Sequence, residues 1–441
     1  MRCRSCKLKK LWSCGVLILA FCGSASSQTP QTAAPSERAA TERTAQRVDE
    51  LQKELIQLKE QIGDLNTSTG SAAASPALAR IGGPPDPSAE VQTGDSAGES
   101  HRLGPFQMKG FADLGFGRPL FEKMPEATLH GSTHSFTVGD FDLFTTAKIS
   151  DRLSFLTELL FTSDFTNSFG AEIDRMMLTY KVNDSLKVSL GKFNTAIGYY
   201  SNAFHRARYF QTATGRPLMF ADEDNGGILP IHSVGLSLSG KVPSGPLGLH
   251  WVAEVANGRA SNSLSDEHGD VVDVQNFVDE NNTKAVNFAL MASPPALRGF
   301  QVGVSFYRDI LRPTPFPEMS EHITSAHIVL VRTGFEFLNE AAMVRHAYTG
   351  GGHEWKSVTA YTQISRRFWH YRPYLRYDYQ NAPKTEPLFG RYGQMGRSEG
   401  PSFGVRYDLA DYAGLKLQYG RLSQRNFPWT NDFQIQFAFA F

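Results

Sequence analysis

From Phe106 to the C-terminal Phe441 the chain is a succession of segments of about ten residues in which apolar side chains alternate with polar or small ones. The connections between these segments switch between short and long along the chain. "VGDFDLFTTAKI" sets Phe141, Leu143, Ala147 and Ile149 against Asp140, Asp142, Thr146 and Lys148, and "GLKLQYG" sets Leu415, Leu417 and Tyr419 against Lys416 and Gln418. The last ten residues, "DFQIQFAFAF", place Phe433, Ile435, Phe437, Phe439 and Phe441 at every second position. Period two means strands with one greasy and one wet face.

About sixteen such segments can be counted, an even number, the first at 106–117 and the last at 432–441. The long connections fall at 118–134, 195–230, 258–282, 310–321 and 381–400, and tight ones such as "SDR" and "VNDS" lie between them. A water-soluble sandwich has no reason to gather its long loops at one end of every hairpin. A membrane-spanning sheet does, and it must close on itself because backbone groups in lipid have no water to bond. The fold class expected is therefore all-β: a transmembrane antiparallel up-and-down β-barrel of about 16 strands over 105–441, with a short N-terminal α-helical coiled coil. Two segments, "EHITSAHIVLVRT" and "GFEFLNEAAMVRHA", fit neither face assignment.

Ahead of the barrel, residues 1–26 have a basic start, an apolar core over 11–21 and small residues around 23–27, the layout of an export signal. The apolar core is too short for a membrane-spanning helix. All four cysteines, Cys3, Cys6, Cys14 and Cys22, lie inside it, so the exported chain can form no disulfide. Its loss also leaves 39 basic against 44 acidic residues. Residues 27–46 are polar and read as disordered. Over 47–66, Val48, Leu55 and Ile62 fall at heptad positions a, and Leu51, Leu58 and Leu65 at d, which predicts a periplasmic coiled coil. Residues 67–104, rich in Gly, Pro, Ser and Ala, read as a flexible linker.

Function in such a barrel belongs to side chains facing the lumen and to long loops. With the apolar face outward, Lys148, Asp140, Asp142, Glu158, Arg372, Arg376, Asp378, Arg406, Asp408 and Lys416 point inward as candidate pore lining, with Lys109, Asp113, Gln434 and Gln436 beside them. A Lys or Arg facing lipid at mid-membrane costs about 2–4 kcal/mol, so this many charges require a wet interior. The longest loop, 195–230, separates His205, Arg206, Arg208 and Arg216 from Asp222, Glu223 and Asp224. Folded into the lumen it would form a constriction with a field across it. The sequence carries no phosphate loop, zinc spacing or nucleophile motif, and "DEDNGG" lacks the spaced ligands of a calcium loop. No enzyme activity, cofactor, metal or nucleic-acid partner is expected. His346 and His353, around "TGGG", read as loop histidines.

The stretch "LKVSLGKFNTAIGYYSNAFH", in which a strand ends in Gly191-Lys192-Phe193 and runs through Gly198 into the longest loop, resembles the phosphate-selective porin O and P family. That resemblance implies a homotrimeric sixteen-stranded barrel of the bacterial outer membrane, reached through the barrel assembly machinery, with terminal Phe441 as the assembly signal. Ala196 stands where such relatives commonly have Pro, and the inward set mixes acids with bases where phosphate pores carry a basic cluster. The function expected is passive diffusion of small hydrophilic or charged solutes through a loop-constricted pore, with the coiled coil tethering the trimer or approaching the cell wall. The alternative is a non-conducting structural or adhesive barrel.

Overall fold

The computed structural model describes residues 53, 101–103, 106–117, 135–163, 168–204, 208–221, 227–261, 280–391, 396–423 and 429–441. The chain divides into two compact units, Met1–Ser75 and Pro76–Phe441, and every strand belongs to the second. The signal peptide and the coiled-coil positions Val48, Leu51, Leu55, Leu58, Ile62 and Leu65 lie outside the described residues.

The strands are β1 (His101–Leu103), β2 (Phe106–Gly117), β3 (Ser135–Lys148), β4 (Leu153–Ser163), β5 (Phe169–Asn183), β6 (Leu186–Asn194), β7 (His232–Lys241) and β8 (Leu249–Ala256). They continue as β9 (Ala285–Ala292), β10 (Phe300–Leu311), β11 (Met319–Arg332), β12 (Phe335–Tyr348), β13 (Glu354–Arg366) and β14 (Tyr371–Ala382). The last three are β15 (Gly396–Ala410), β16 (Ala413–Leu422) and β17 (Thr430–Ala440). Each strand from β2 onward pairs antiparallel with the next, and β17 returns to β2 with Phe437 opposite Leu114. The result is a closed barrel of 16 strands. Closure leaves no sheet edge, which is the condition for crossing lipid.

Alternation decides the faces. Along β10, Val302, Val304 and Phe306 are 39–54% exposed on the outside, whereas Gln301 and Ser305 are 1–2% exposed on the inside. The turns of two to four residues, among them 184–185, 333–334 and 411–412, lie at one end, and the connections at the other run from five residues, as at 349–353, to the long loops. The length contrast is not strict. The expected loop 310–321 shrinks to 312–318 because Ile310 and Leu311 continue the ladder against Ser320 and Met319, and β15 begins at Gly396, well before 401.

Two features tie the barrel shut. The backbones of Gly110 and Phe441 exchange hydrogen bonds of 2.8 and 2.9 Å. The Phe441 ring lies over Gly110, where a Cβ would overlap it, and continues a row with Phe439 and Phe141 at ring separations of 6.1 and 5.8 Å. Beyond the chain end, β1 takes over the open edge of β2, pairing His101 with Met108 and Leu103 with Phe106. Residues 101–103 thus leave the expected linker for the sheet. They do so because β2 extends past the last residue of β17 and its backbone groups need partners.

Replacing Gly110 by Val should displace the Phe441 ring and cost about 1–3 kcal/mol by overpacking. The folded fraction, read from heat-modifiable gel mobility, should fall, and it should fall also on deleting Phe441. An unchanged folded fraction in both variants would reduce the seam to ordinary outer-face packing.

Candidate functional site: the lumen and its inserted loop

The connection after β6 turns into the lumen. It opens at Thr195, forms a single helical turn α1 (Tyr200–Phe204), and rejoins the wall at β7. Ile197, Tyr200, Leu218, Met219, Phe220, Ile228 and Leu229 within it are all nearly inaccessible to solvent. Leu218 meets Leu422 of β16, and the others pack on Tyr307, Leu311, Met319, Ile323, Val329, Leu338, Ala342, Val344 and Tyr361 from the inner faces of β10–β13. Burial pushes the Tyr199 and Tyr200 phenols well above their ordinary range, so both stay neutral.

The backbone of a segment held inside a barrel cannot bond to bulk water, so the wall must supply its partners. Cations take the carbonyls. Lys416 Nζ donates to the Arg208 and Ala213 oxygens at 2.6 and 3.1 Å. Arg406 Nη1 donates to the Tyr209 oxygen and, at 3.2 Å, to that of Gln211. Arg376 Nη1 donates to Gly215 at 2.6 Å. Carboxylates take the amides. Glu340 accepts from the N–H groups of Tyr199 and Tyr200 at 2.5 and 2.9 Å, Glu254 from Ala196 at 3.1 Å, and Asp378 from Leu218 at 2.9 Å. Gly198 makes the Glu340 contact possible: its φ of 71° is left-handed, and a Cβ there would overlap the carboxylate.

Each clamp is itself braced. Tyr361 Oη donates to Glu340 at 2.6 Å, Asn287 Nδ2 to Glu254 at 2.8 Å, and Arg376 Nε to Asp378 at 2.9 Å. Lys416 also donates to Gln436 Oε1 at 2.9 Å, and Gln436 Nε2 donates to Asp113 at 2.9 Å. Gln434, the other inward glutamine of the last strand, accepts from Thr214 Oγ1 at 2.6 Å.

The expected pore-lining residues divide into three groups. Arg376, Asp378, Arg406 and Lys416 face inward but are sealed beneath the inserted segment, with Arg376, Asp378 and Lys416 no more than 1% exposed. They bind the loop. Arg372 and Asp408 sit at the short-turn mouth: Arg372 donates to the Thr333 oxygen at 3.0 Å, and Asp408 pairs with Arg406 at 2.6 Å and Arg367 at 3.5 Å. Lys148 is at the same rim, 2.9 Å from Asp151, whose carboxyl it holds below the usual range.

On the opposite side of the lumen Asp140 meets loop residue Arg208 at 3.3 Å, and Glu158 pairs with Arg175 of β5. Asp142 lies beside Glu158, with no donor reaching either of its carboxylate oxygens. Arg216 does not face a channel; it is buried and donates to Ser201 Oγ at 3.3 Å. His205, Arg206, Asp222, Glu223 and Asp224 lie outside the described residues.

Several site residues were not foreseen. Glu254 lies on β8 and Glu340 on β12; Glu340 was missed because the segments around it carry apolar side chains on both faces. The inner ones, Leu338, Ala342 and Val344, pack the inserted loop. His346, read as a loop residue, is on β12 facing inward, 2.9 Å from Glu321 and 2.8 Å from Glu386. Arg259 adds to that network, donating to Glu321 at 2.7 Å and to the Ile228 oxygen at 2.9 Å. The sequence signal for Glu340 and His346 was the failed alternation itself.

No family model matches this chain, and no curated protein does. Solved structures do match. The outer membrane channel DcaP of Acinetobacter baumannii superposes with a TM-score of 0.53 at 12% identity, over 78% of this chain and 100% of its own. An anion-selective porin from Comamonas acidovorans gives 0.51 at 10% identity, again over 78% of this chain and 100% of its own. The fold is that of a porin barrel.

Arg376→Met should leave Asp378 buried without its cation and the Gly215 carbonyl without a donor, at about 3–5 kcal/mol for a broken buried pair. The loop should then open before the barrel does. Limited proteolysis should cut within 205–226 in the variant and spare the parent chain, while the strand signal in circular dichroism is retained.

Proposed function

We propose that the chain is a bacterial outer-membrane porin that passes small hydrophilic or charged solutes by diffusion along a narrow path between the inserted segment and β3–β6. The observation that carries this reading is the uneven sealing of the lumen. Side chains of Arg175, Asp140 and Arg208 keep 13–21% of their surface accessible, whereas the Arg376–Asp378 pair across the lumen keeps 0–2%. Water therefore reaches Arg175, Asp140 and Arg208 and not the Arg376–Asp378 pair.

The path is bordered by Arg208 and Asp140 on one side and by Arg175 on the other, with Glu158 and Asp142 buried next to Arg175. Opposed charges in a narrow wet gap select by size and bias by sign. Because the lining mixes both signs, the reading stops at small hydrophilic or charged solutes and does not extend to phosphate. His205, Arg206 and Asp222 to Asp224 belong to the same inserted segment and are assigned to its constriction. The reading also includes a homotrimer in the membrane, delivery by the barrel assembly machinery through Phe441, and a periplasmic coiled coil over 47–66 reaching toward the cell wall. Diffusion through such a gap requires no enzymatic step.

A second reading, a plugged and non-conducting barrel, is favoured by the apolar packing of the loop against β10–β13. Conductance separates the two. Single channels in planar bilayers should show small steps, and Arg208→Glu should move the reversal potential toward cation selectivity. Removing 208–216 should raise the step size several-fold. Absence of steps in the parent chain together with large steps in the deletion would establish the plug instead.

A further inference from the structure

Asp142 is a buried carboxylate that the fold leaves without a donor. It is 2% exposed on the inner face of β3, and no hydrogen-bond donor reaches either of its oxygens. A carboxylate in that state is costly unless a cation or a donor arrives. Its neighbours are answered. Glu158 pairs with Arg175, and Asp140 with Arg208 at 3.3 Å. Asp113 accepts from Gln436 Nε2 at 2.9 Å and from the Asp140 N–H at 3.0 Å.

The surroundings of Asp142 are largely aromatic. It stands opposite Phe111 of β2 and Leu160 of β4, with Phe144 next on the same face of β3. Phe210 of the inserted segment meets the Phe111 ring edge-on at 5.3 Å, and Leu156 packs on the same cluster. The chain fills such an arrangement once already: the Arg175 guanidinium lies over the Phe144 ring, 5.5 Å from its centre, while it bonds Glu158. A carboxylate beside aromatic rings holds a cation well, because the acid supplies charge and the ring faces add negative potential. At Asp142 the carboxylate and the rings are in place, and no side chain donates to it.

The charge around it has the same sign. From the row of Glu158 to the long-loop end, the described inward side chains of β2–β5 include five carboxylates, Asp113, Asp140, Asp142, Glu158 and Glu172. Lys109 and Arg175 oppose them on the strands, and Arg208 from the loop. Such an excess attracts cations and repels anions. Water reaches Asp140, the next inward residue on the same strand, so a solute in the wet path passes beside Asp142.

From this unanswered carboxylate in an aromatic setting we infer that Asp142 binds primary organic ammonium ions with a small apolar body. The ammonium N–H groups donate to the Asp142 carboxylate, and the apolar body lies against Phe111, Phe144 and Phe210. The inference rests on the diffusion path proposed above for the solute's route, and it narrows the charged solutes of that path to cations.

The test uses the full chain purified in detergent, with binding measured by titration calorimetry at neutral pH. Benzylammonium is the probe; benzoate carries the same ring with the opposite charge, and tetramethylammonium carries the charge without an N–H. Benzylammonium should bind at least about tenfold more tightly than either, a difference of about 1.4 kcal/mol. Asp142→Asn should lose that margin, while Asp151→Asn, at the short-turn rim, should keep it. Heat-modifiable mobility checks that each variant is folded, and the three probes on the parent chain decide the charge and donor preferences without any variant. Equal binding of benzoate would overturn the charge preference, and equal binding of tetramethylammonium would overturn the hydrogen bond. Unchanged binding by folded Asp142→Asn would overturn the site. No saturable binding by the parent would leave a proton shared with Glu158 as the partner of Asp142 and overturn the inference. Conductance steps in potassium chloride, recorded on the same preparations, report separately on the channel.

Discussion

Charged side chains of the barrel wall gripping the backbone of one inserted segment is the interaction on which the interior depends. A strand satisfies its amides through its neighbours, but a loop inside a barrel has none. Here Lys416, Arg406 and Arg376 supply donors to its carbonyls, and Glu254, Glu340 and Asp378 supply acceptors to its amides. Because these contacts go to backbone, the loop's path is set by where the wall places its charges more than by the identity of the loop's side chains. The apolar half of the loop then fills the space against β10–β13.

This arrangement changes what a charged lumen means. Charges that would line an open channel are, on β14–β16, consumed in holding the insertion, while Asp140 of β3 and Arg175 of β5 keep contact with water. The outer face obeys the opposite logic. It is apolar over most of its height, is closed at the seam by Phe441 over Gly110, and departs from that rule in the basic row from Arg308 to Lys356.

Most of the fold was legible in the residues. Sixteen alternating segments fell within a few residues of the observed strands, since side-chain period and turn chemistry are local properties. Legibility failed where a face was apolar for a tertiary reason. Ile323, Val329, Leu338 and Val344 look inward at other apolar groups, so the alternation of β11 and β12 was blurred and Glu340 and His346 went unrecognised. The assignment of 310–321 to a loop failed similarly, because pairing with a neighbour, not propensity, extends β10 and β11.

The sequence by itself determined the closed antiparallel barrel, its strand count, the parity of Gln434 and Gln436 toward the interior, and the lipid-facing ring at Phe441. All of these stem from period two and the need to satisfy backbone groups in lipid. Only the tertiary structure decided that the 195–231 connection enters the lumen, and that Arg376, Arg406 and Lys416 hold it there in place of lining a pore. Those contacts join residues about 160 to 210 positions apart in the chain. No local pattern encodes that distance; it is set when the barrel closes and brings the wall's charges around the loop.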